Sequence, residues 1–297
     1  MFTISSVKEK NLDVVLLENE TKTTALKIAL IEGGRILDLK FNNVAVIQEQ
    51  REFLYKDSYA SAILFPFASR IENGNYSFLG NTYQLEKNNN NQNALHGLLY
   101  NASFNNTKTT ENNENCIVTL TYTSKDKTKG FPFEFAISIT YTLSKYELKM
   151  SIAVKNIGEH PFPFTLGWHP YFVTDDLEKS SLSFDSTQKV VFDNNLITQD
   201  VVRHTSPKVF KIAQQKLDDC FVLNNPKVLF NTPNYSIELT SYPKNNYLQV
   251  YTPDNKTLIA IEPMTGVSNS FNNKIGLQVL AANETYDQNW NVKFLNE

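Results

Sequence analysis

The feature that most constrains the fold of this chain is an alternation of apolar and polar residues with a period of two. Segments 35–41 (RILDLKF), 134–143 (EFAISITYTL) and 146–156 (YELKMSIAVKN) show it clearly. Such a period predicts β-strands, because successive side chains of a strand point to opposite faces of the sheet. The runs are rich in Val, Ile, Thr, Tyr and Phe and are bounded by turn-forming Asn, Gly, Asp and Pro.

The same alternation recurs along most of the chain. Further runs lie at 24–31, 42–47, 116–123, 227–230, 235–242, 247–252, 258–263 and 276–280. No amphipathic segment of about 10 to 12 residues with capping residues indicates a helix. No linker, composition break or fixed repeat divides the sequence. The pattern therefore predicts an all-β protein in which residues 1–297 form a single domain of large, packed antiparallel sheets.

Charge and composition restrict the class of partner. The 297 residues include 28 Lys and Arg and 31 Asp and Glu, for a net charge of −3, which builds no positive field for nucleic acid or an anionic membrane. No secretory signal opens the sequence, and no apolar run approaches the roughly 18 to 20 residues of a membrane helix. We expect a soluble, cytoplasmic monomer or weak dimer. Cys116 and Cys220 show neither zinc spacing nor a disulfide framework, so we expect reduced structural thiols.

An asparagine-rich stretch precedes the first candidate site residue. Segment 87–93 reads KNNNNQN and is predicted to be an exposed loop, because Asn favours turns and is costly to bury. It leads into ALHGLLY (94–100), which places His96 at the lip of a sheet, where binding sites are often built. His96 is either a structural histidine or a ligand contact. Gly97 permits a close approach of backbone or ligand.

Two further basic residues lie in aromatic surroundings. His169, in TLGWHPYFV (165–173), is either a core histidine bonded to a carbonyl or a proton donor held on an aromatic wall. We interpret most of the aromatic neighbours Trp168, Tyr171 and Phe172 as core residues. Arg70, in FPFASRIENGNYSFLG (65–80), is either a surface arginine beside a turn or part of a site.

Acidic residues mark two more segments. In LIAIEPMTGVSN (258–269), Glu262 follows four apolar residues and precedes Pro263, which we interpret as the residue that stops the strand. An unpaired carboxylate buried there costs several kcal/mol, so Glu262 needs partners or a function. In QKLDDCFVL (215–223), Asp218 and Asp219 are either a turn signal or site residues.

Other common chemistries find no support in the sequence. It contains no Walker loop, no G-x-G-x-x-G, no H-E-x-x-H and no G-x-S-x-G, and its histidines lack metal-ligand spacing. An arginine, two histidines, an aspartate and a glutamate remain. This inventory suits general acid–base chemistry on a neutral polyol.

Five motifs, in order, resemble those of the aldose 1-epimerase (galactose mutarotase) family. They are ASRIENGNY, ALHG, GWHPYF, LDDCF and IEPMTG, and they extend from about residue 65 to residue 265. The resemblance implies a β-supersandwich with an open sugar cleft, and an enzyme of carbohydrate metabolism that interconverts the α and β anomers of free aldoses. It implies no metal, nucleotide or redox cofactor, and a small-molecule sugar as the partner.

The resemblance also implies a role for each candidate residue. Glu262 would be the general base and His169 the general acid. Arg70 and His96 would bind and orient the sugar. Asp218 would bind sugar hydroxyls, with Asp219 as its alternate.

Two departures from the family pattern bear on the sugar rather than on the reaction. Ser69 stands where many members have Asn, and Leu98 stands where many have a second glycine. A hexose-6-phosphate 1-epimerase remains an alternative, although no cluster of Arg or Lys near HGLLY is available for a phosphate. A non-catalytic carbohydrate-binding module is another, and would not need both Glu262 and His169. A structural interaction domain would leave the five ordered motifs unexplained.

Overall fold

The structure, a computed structural model, describes residues 1–9, 11–50, 53–124, 128–213, 215–243, 247–254 and 256–295. The strands are β1 Phe2–Glu9, β2 Leu12–Asn19, β3 Ala25–Ala29, β4 Ile36–Phe41, β5 Val44–Gln48, β6 Ile63–Leu64, β7 Arg70–Ile71, β8 Asn75–Phe78, β9 Asn81–Gln84, β10 Ala94–Leu95, β11 Asn105–Glu111, β12 Asn115–Thr123, β13 Phe135–Ser144, β14 Glu147–Asn156, β15 Phe162–Phe164, β16 Gly167–Trp168, β17 Tyr171–Val173, β18 Ser181–Phe192, β19 Thr198–Arg203, β20 Phe210–Lys211, β21 Asp218–Asn231, β22 Ser236–Tyr242, β23 Tyr247–Tyr251, β24 Leu258–Met264, β25 Gln278–Leu280 and β26 Thr285–Leu295.

Helical structure in the described residues is limited to short pieces. The α-helices are α1 Tyr55–Ser58 and α2 Ser270–Asn273, and the 3₁₀ turns are Glu72–Gly74 and Leu177–Lys179. The all-β class predicted from the alternation is thus confirmed. Across the described residues, no helix has the length and apolar character that crossing a membrane requires.

Two large antiparallel sheets carry most of these strands. Strands β1 to β5 form one sheet in chain order. The second runs β11-β12-β13-β14-β26-β22-β21-β23-β24-β16-β6, with β17 joined to β24 and β18 joined to β21, β19 and β20. The C-terminal strand β26 lies between β14 and β22, so the order in the sheet departs from the order in the chain.

The core lies between these two sheets. One cluster of buried apolar side chains draws on both, for example Leu17 and Leu39 from the five-stranded sheet and Ile139 from the larger one. Strand β13 buries every second residue along its whole length, as the two-residue period predicts. Cys116 and Cys220 are buried free thiols, as expected.

The strand pattern was incomplete in places. The run 227–230 is only the end of the 14-residue strand β21, and β1, β2, β18 and β26 were not predicted. The asparagine-rich segment was predicted to be exposed, and its tip is. Its end is not, because Asn93 is only 4% exposed and its Oδ1 accepts a hydrogen bond from the Asn73 N–H.

Candidate active site

All five predicted site residues line one cavity of about 440 Å³. They come from different parts of the chain: Arg70 from β7, His96 from the turn after β10, His169 from the connection between β16 and β17, Asp218 from the start of β21, and Glu262 from β24. The structure therefore brings together side chains that the sequence separates by up to about 190 positions.

Glu262 lies within β24, not at its end as the sequence suggested. The strand continues through Pro263 to Met264, and all seven of its residues are buried. Strand β23 pairs with this part of β24 on one side, but on the other side β17 pairs only with residues 258 to 260 and β16 only with Met264. Proline is tolerated because neither of these strands pairs with Glu262 or Pro263. The missing N–H is therefore not needed at Pro263, and Glu262 is held at 3% exposure in the middle of the sheet.

The same interruption of the ladder accommodates His169. Its backbone leaves β24 and bonds instead to the chain before β6, with the N–H donating to the Ala62 carbonyl at 3.1 Å and the carbonyl accepting from the Ser61 N–H at 2.7 Å. The imidazole stacks on the Tyr171 ring, with centroids 5.0 Å apart and planes 18° apart. His169 Nε2 lies 3.6 Å from Glu262 Oε1.

Arg70 and His96 are held side by side by a two-stranded pair. Strands β7 and β10 are antiparallel, with Leu95 opposite Arg70, and the His96 N–H donates to the Ser69 carbonyl at 2.9 Å. His96 has a left-handed φ of 60°, and Gly97 follows with a φ of 76°. A Cβ on Gly97 would lie 2.3 Å from the Phe65 carbonyl oxygen, so the close approach that requires glycine is that of backbone.

The structure distinguishes the two adjacent aspartates. Both lie in β21, where alternation turns them to opposite sides, and they do not form a turn. Asp218 lines the cavity, and its Oδ1 accepts a 2.6 Å hydrogen bond from Gln249 Nε2. Asp219 instead forms an ion pair of 2.6 Å with Lys189.

Burial moves the pKa values of the central pair in opposite directions. Burial raises the pKa of Glu262 well above its ordinary value, the Asp218 carboxylate adds to the rise, and Arg70 opposes it. Burial lowers the pKa of His169 to about 3, and the charge of Arg70 acts in the same direction. Burial thus favours the uncharged form of each group, the protonated carboxyl of Glu262 and the neutral imidazole of His169.

The remaining polar groups respond to the same desolvation. Burial raises the pKa of Asp218 and the charge of Asp219 adds to the rise, while Arg70 and the Gln249 hydrogen bond lower it. Burial, then the charges of His169 and Arg70, lower the pKa of His96, which is therefore a neutral imidazole. Burial lowers the pKa of Arg70, yet the guanidinium stays charged because its ordinary value is so high.

Several residues of the cavity wall were not identified from the sequence. Gln249 lies directly opposite Glu262 in the β23–β24 pairing, and Tyr251, two residues on, also faces the cavity. The only signal in YLQVY was the alternation itself, which does not say which face carries a site. Helix α1 and the residues next to it, including Phe53 and Tyr59, supply the rim.

The aromatic residues around His169 divide between the core and the cavity. Trp168 and Phe172 are in the core, with Trp168 stacked on Trp290, whereas Tyr171 lines the cavity. Most of this group is therefore core, as interpreted from the sequence. Within the described part of the chain, no three His, Cys, Asp or Glu side chains are arranged to hold a metal ion.

Known proteins similar to this chain include members of one enzyme family. The sequence model of the family described as aldose 1-epimerase matches residues 13–293. The chain is 25% identical over 273 residues to YihR, an uncharacterised protein of Escherichia coli (strain K12), covering 88% of this chain and 87% of that protein.

Solved structures show the same fold. A galactose mutarotase-like protein from Clostridium acetobutylicum aligns with a TM-score of 0.88 at 19% identity, covering 100% of this chain and 99% of that one. Galactose 1-epimerase from Lactobacillus acidophilus NCFM aligns with a TM-score of 0.82 at 16% identity, covering 99% and 98%. These similarities confirm the galactose mutarotase-like fold.

Proposed function

The chain belongs to the aldose 1-epimerase family, and from this membership we propose that it interconverts the α and β anomers of a free aldohexose such as glucose or galactose. The observation that carries the proposal is the pair formed by His169 Nε2 and Glu262 Oε1, 3.6 Å apart on the wall of a polar cavity. The anomeric hydroxyl and the ring oxygen of an aldose are both bonded to C1. A proton donor and a proton acceptor this close together can therefore serve both oxygens of one sugar.

The reaction requires two coordinated proton transfers. The Glu262 carboxylate accepts the proton of the C1 hydroxyl, and the His169 imidazolium donates a proton to the ring oxygen as the bond between C1 and that oxygen breaks. Rotation about the C1–C2 bond of the open-chain aldehyde presents its other face. Closure reverses both transfers and yields the other anomer. Each positioned acid or base contributes about 10²- to 10⁴-fold to the rate.

The reaction conserves the single proton of the pair. The working form has the proton on His169, whereas burial favours it on Glu262, and the two forms have the same total charge. The two forms differ only in whether the proton is on Oε1 or on Nε2. These atoms are 3.6 Å apart, longer than a hydrogen bond, so the transfer passes through a hydroxyl group between them, which the bound sugar can supply. The hydroxyl and ring oxygen of a bound sugar solvate the charged form and so favour this transfer.

The other polar groups of the cavity orient the sugar in this proposal. Arg70 and His96 lie next to each other on the paired strands β7 and β10 and approach the ring from one side. Asp218 has one oxygen engaged by Gln249 and accepts a sugar hydroxyl with the other. Carboxylates and a guanidinium are well suited to a polyol, since they form charge-assisted hydrogen bonds to hydroxyl groups.

The charges of the cavity favour a neutral sugar over a phosphorylated one. Among the described lining residues, Asp57, Asp218 and Glu262 are acidic and Arg70 alone is a strong cation. A phosphate dianion requires several cationic or N–H donors, and here it would face carboxylates instead. Hexose 6-phosphate is therefore the less favoured substrate.

The test is polarimetry on freshly dissolved α-D-glucose and α-D-galactose at neutral pH, corrected for spontaneous mutarotation. We expect the protein to accelerate the decay of optical rotation and Glu262→Gln to abolish most of the acceleration. Glu114→Gln, an exposed carboxylate in a turn, is the matched control and should leave the rate unchanged.

The alternatives give different outcomes in the same assay. Acceleration with glucose 6-phosphate alone would replace the free hexose with the phosphorylated one. Sugar binding by calorimetry without any acceleration would indicate a carbohydrate-binding module and would overturn the proposed enzyme.

A further inference from the structure

The asparagine-rich segment forms an ordered turn beside the cavity. The Asn89 N–H donates to the Asn93 carbonyl at 3.1 Å, and the Gln92 N–H donates to the Asn89 carbonyl at 2.9 Å. Asn90 and Asn91 at the tip have left-handed φ values of 49° and 56°, a conformation that asparagine adopts more easily than most residues. Asn89 lines the cavity, so the turn is part of its wall.

Asn88, the residue before this turn, makes three hydrogen bonds through its side-chain amide. Oδ1 accepts from the Leu95 N–H at 2.7 Å, and Nδ2 donates to the Leu95 carbonyl at 3.0 Å. Nδ2 also donates to the Tyr59 hydroxyl at 3.2 Å. The amide thus satisfies both backbone groups of Leu95 as a neighbouring strand would, and links them to the rim beside α1.

Both partners of Asn88 contact His96. Leu95 precedes it in the chain, and the Tyr59 ring packs against the imidazole with centroids 4.9 Å apart. The Nδ1 atom of His96 is buried and has no hydrogen-bond partner among the described residues. The ring's position therefore depends on the backbone that carries it and on the two rings packed against it, Tyr59 and His169, whose centroid lies 5.1 Å away.

We propose that Asn88 is the positioning residue for His96, fixing the Leu95 backbone and the Tyr59 ring so that the imidazole projects into the sugar cavity. An amide is required because the position needs one acceptor and two donors in a fixed arrangement, which neither a carboxylate nor a hydroxyl supplies. The consequence for sugar affinity rests on the proposed function, whereas the positioning itself does not.

The first experiment reads the position of His96 without sugar or turnover. Histidine-selective ¹³C labelling gives the imidazole C–H signals, and His96→Asn identifies the one that belongs to His96. We expect Asn88→Ala to displace or broaden this signal. The tip variant Asn91→Gly, which keeps the left-handed turn, should leave it in place. Asn88→Asp keeps the side-chain size and the acceptor for Leu95 but loses both donors, and should give an intermediate displacement.

The second experiment is a double-mutant cycle on sugar affinity. Asn88→Ala should raise the KM for the sugar about tenfold, the loss expected for one or two well-placed hydrogen bonds. Because Asn88 acts through His96, adding Asn88→Ala to His96→Ala should weaken affinity no further. If Asn88 had a purely structural role, independent of His96, the loss of affinity caused by Asn88→Ala would add in full to that of His96→Ala in the double variant.

The outcomes separate this proposal from the proposed function. A His96 signal that stays in place in both Asn88→Ala and Asn88→Asp overturns the positioning role, as does full additivity in the cycle. A displaced signal in a protein that accelerates no mutarotation supports the positioning and overturns only the enzymatic proposal.

Discussion

At the scale of single residues, the environment of His169 suits a group that must hold one orientation. Its ring is stacked on Tyr171 and lies nearly perpendicular to the His96 ring, and its backbone is bonded to the segment that precedes β6. We predict that His169→Asn reduces mutarotation by about 10²- to 10⁴-fold, because the proton donor to the ring oxygen is lost. Polarimetry measures the rate, and circular dichroism should show an unchanged all-β spectrum. Near-normal turnover in this variant would exclude the acid role.

The shared proton of Glu262 and His169 predicts the shape of the pH profile. Catalysis requires that the two groups together carry one proton. We therefore expect kcat/KM to fall on the acid side near pH 3, where His169 is protonated while Glu262 is still protonated. On the alkaline side, kcat/KM should fall as the pH rises above the raised pKa of Glu262, because the two groups then lose their only shared proton. The rates are measured by polarimetry across the pH range.

Asp218→Asn tests the origin of the alkaline limit. Removing the neighbouring negative charge should lower the pKa of Glu262, so the alkaline limb should move to lower pH. Asp219→Asn is the matched control, because Asp219 is paired with Lys189 outside the cavity. An alkaline limb that is unmoved by Asp218→Asn would show that it does not report Glu262.

The sequence singled out residues that share one cavity better than it predicted their positions in the strands. Ordered motifs singled out Arg70, His96, His169 and Glu262, and all four line the cavity. The choice between Asp218 and Asp219 stayed open, because alternation assigns them to opposite faces without saying which face is the cavity. Gln249 carried no motif, and its role emerges only from the strand pairing that puts it opposite Glu262.

At the scale of elements, two turns contain a glycine with a left-handed φ, but only one of them requires glycine. Gly97 lies in the turn after β10, and Gly80 lies in the turn between β8 and β9. Gly97 and Gly80 both have left-handed φ values, 76° and 79°, but a Cβ on Gly80 has nothing within 4 Å. Gly80→Ala should cost only the left-handed strain of about 1–2 kcal/mol. Gly97→Ala should cost more and reduce activity, since the Phe65 backbone must move and His96 with it. Thermal unfolding and polarimetry compare the two variants, and equal costs would refute the argument.

The alternation of apolar and polar residues predicted strands whose buried face is entirely apolar, and it missed a strand whose buried face includes a polar side chain. Strand β13 alternates without exception and was predicted. Strand β26 was missed because its buried face begins with Gln288, whose amide donates to the Tyr242 carbonyl, and its exposed face carries residues of low strand propensity. The prediction that β24 ends at Pro263 is wrong, because the gap in pairing between β17 and β16 that admits a proline cannot be seen in the sequence.

At the scale of the whole molecule, the site depends on pairings between distant parts of the chain. Strand β24 contacts β23 on one side and β16 and β17 on the other, and β16 continues to β6, just before Arg70. Local sequence predicts strands but not their order, because pairing is set by the register and burial of the complete sheet. The motif order of the family supplied what local pattern could not.

The stability of the whole fold should depend on pH through Glu262. Its pKa is raised in the folded protein, so its contribution to the free energy of unfolding is complete below the unfolded pKa and is lost as pH rises through the folded value. Glu262→Gln removes the cost of the buried charge while keeping the side-chain size. It should therefore melt at a higher temperature than the wild type at pH 8 and at nearly the same temperature at pH 4.

The measurement is calorimetry or thermal circular dichroism of both proteins at the two pH values, with the exposed carboxylate variant Glu114→Gln as the control that should not differ at either. Each kcal/mol gained corresponds to a rise in Tm of about 2–4 °C for a chain of about this size. An equal or lower Tm for Glu262→Gln at pH 8 would mean that the carboxylate is compensated in the fold. A higher Tm together with lost turnover would show that the same buried carboxylate both destabilises the protein and performs its chemistry.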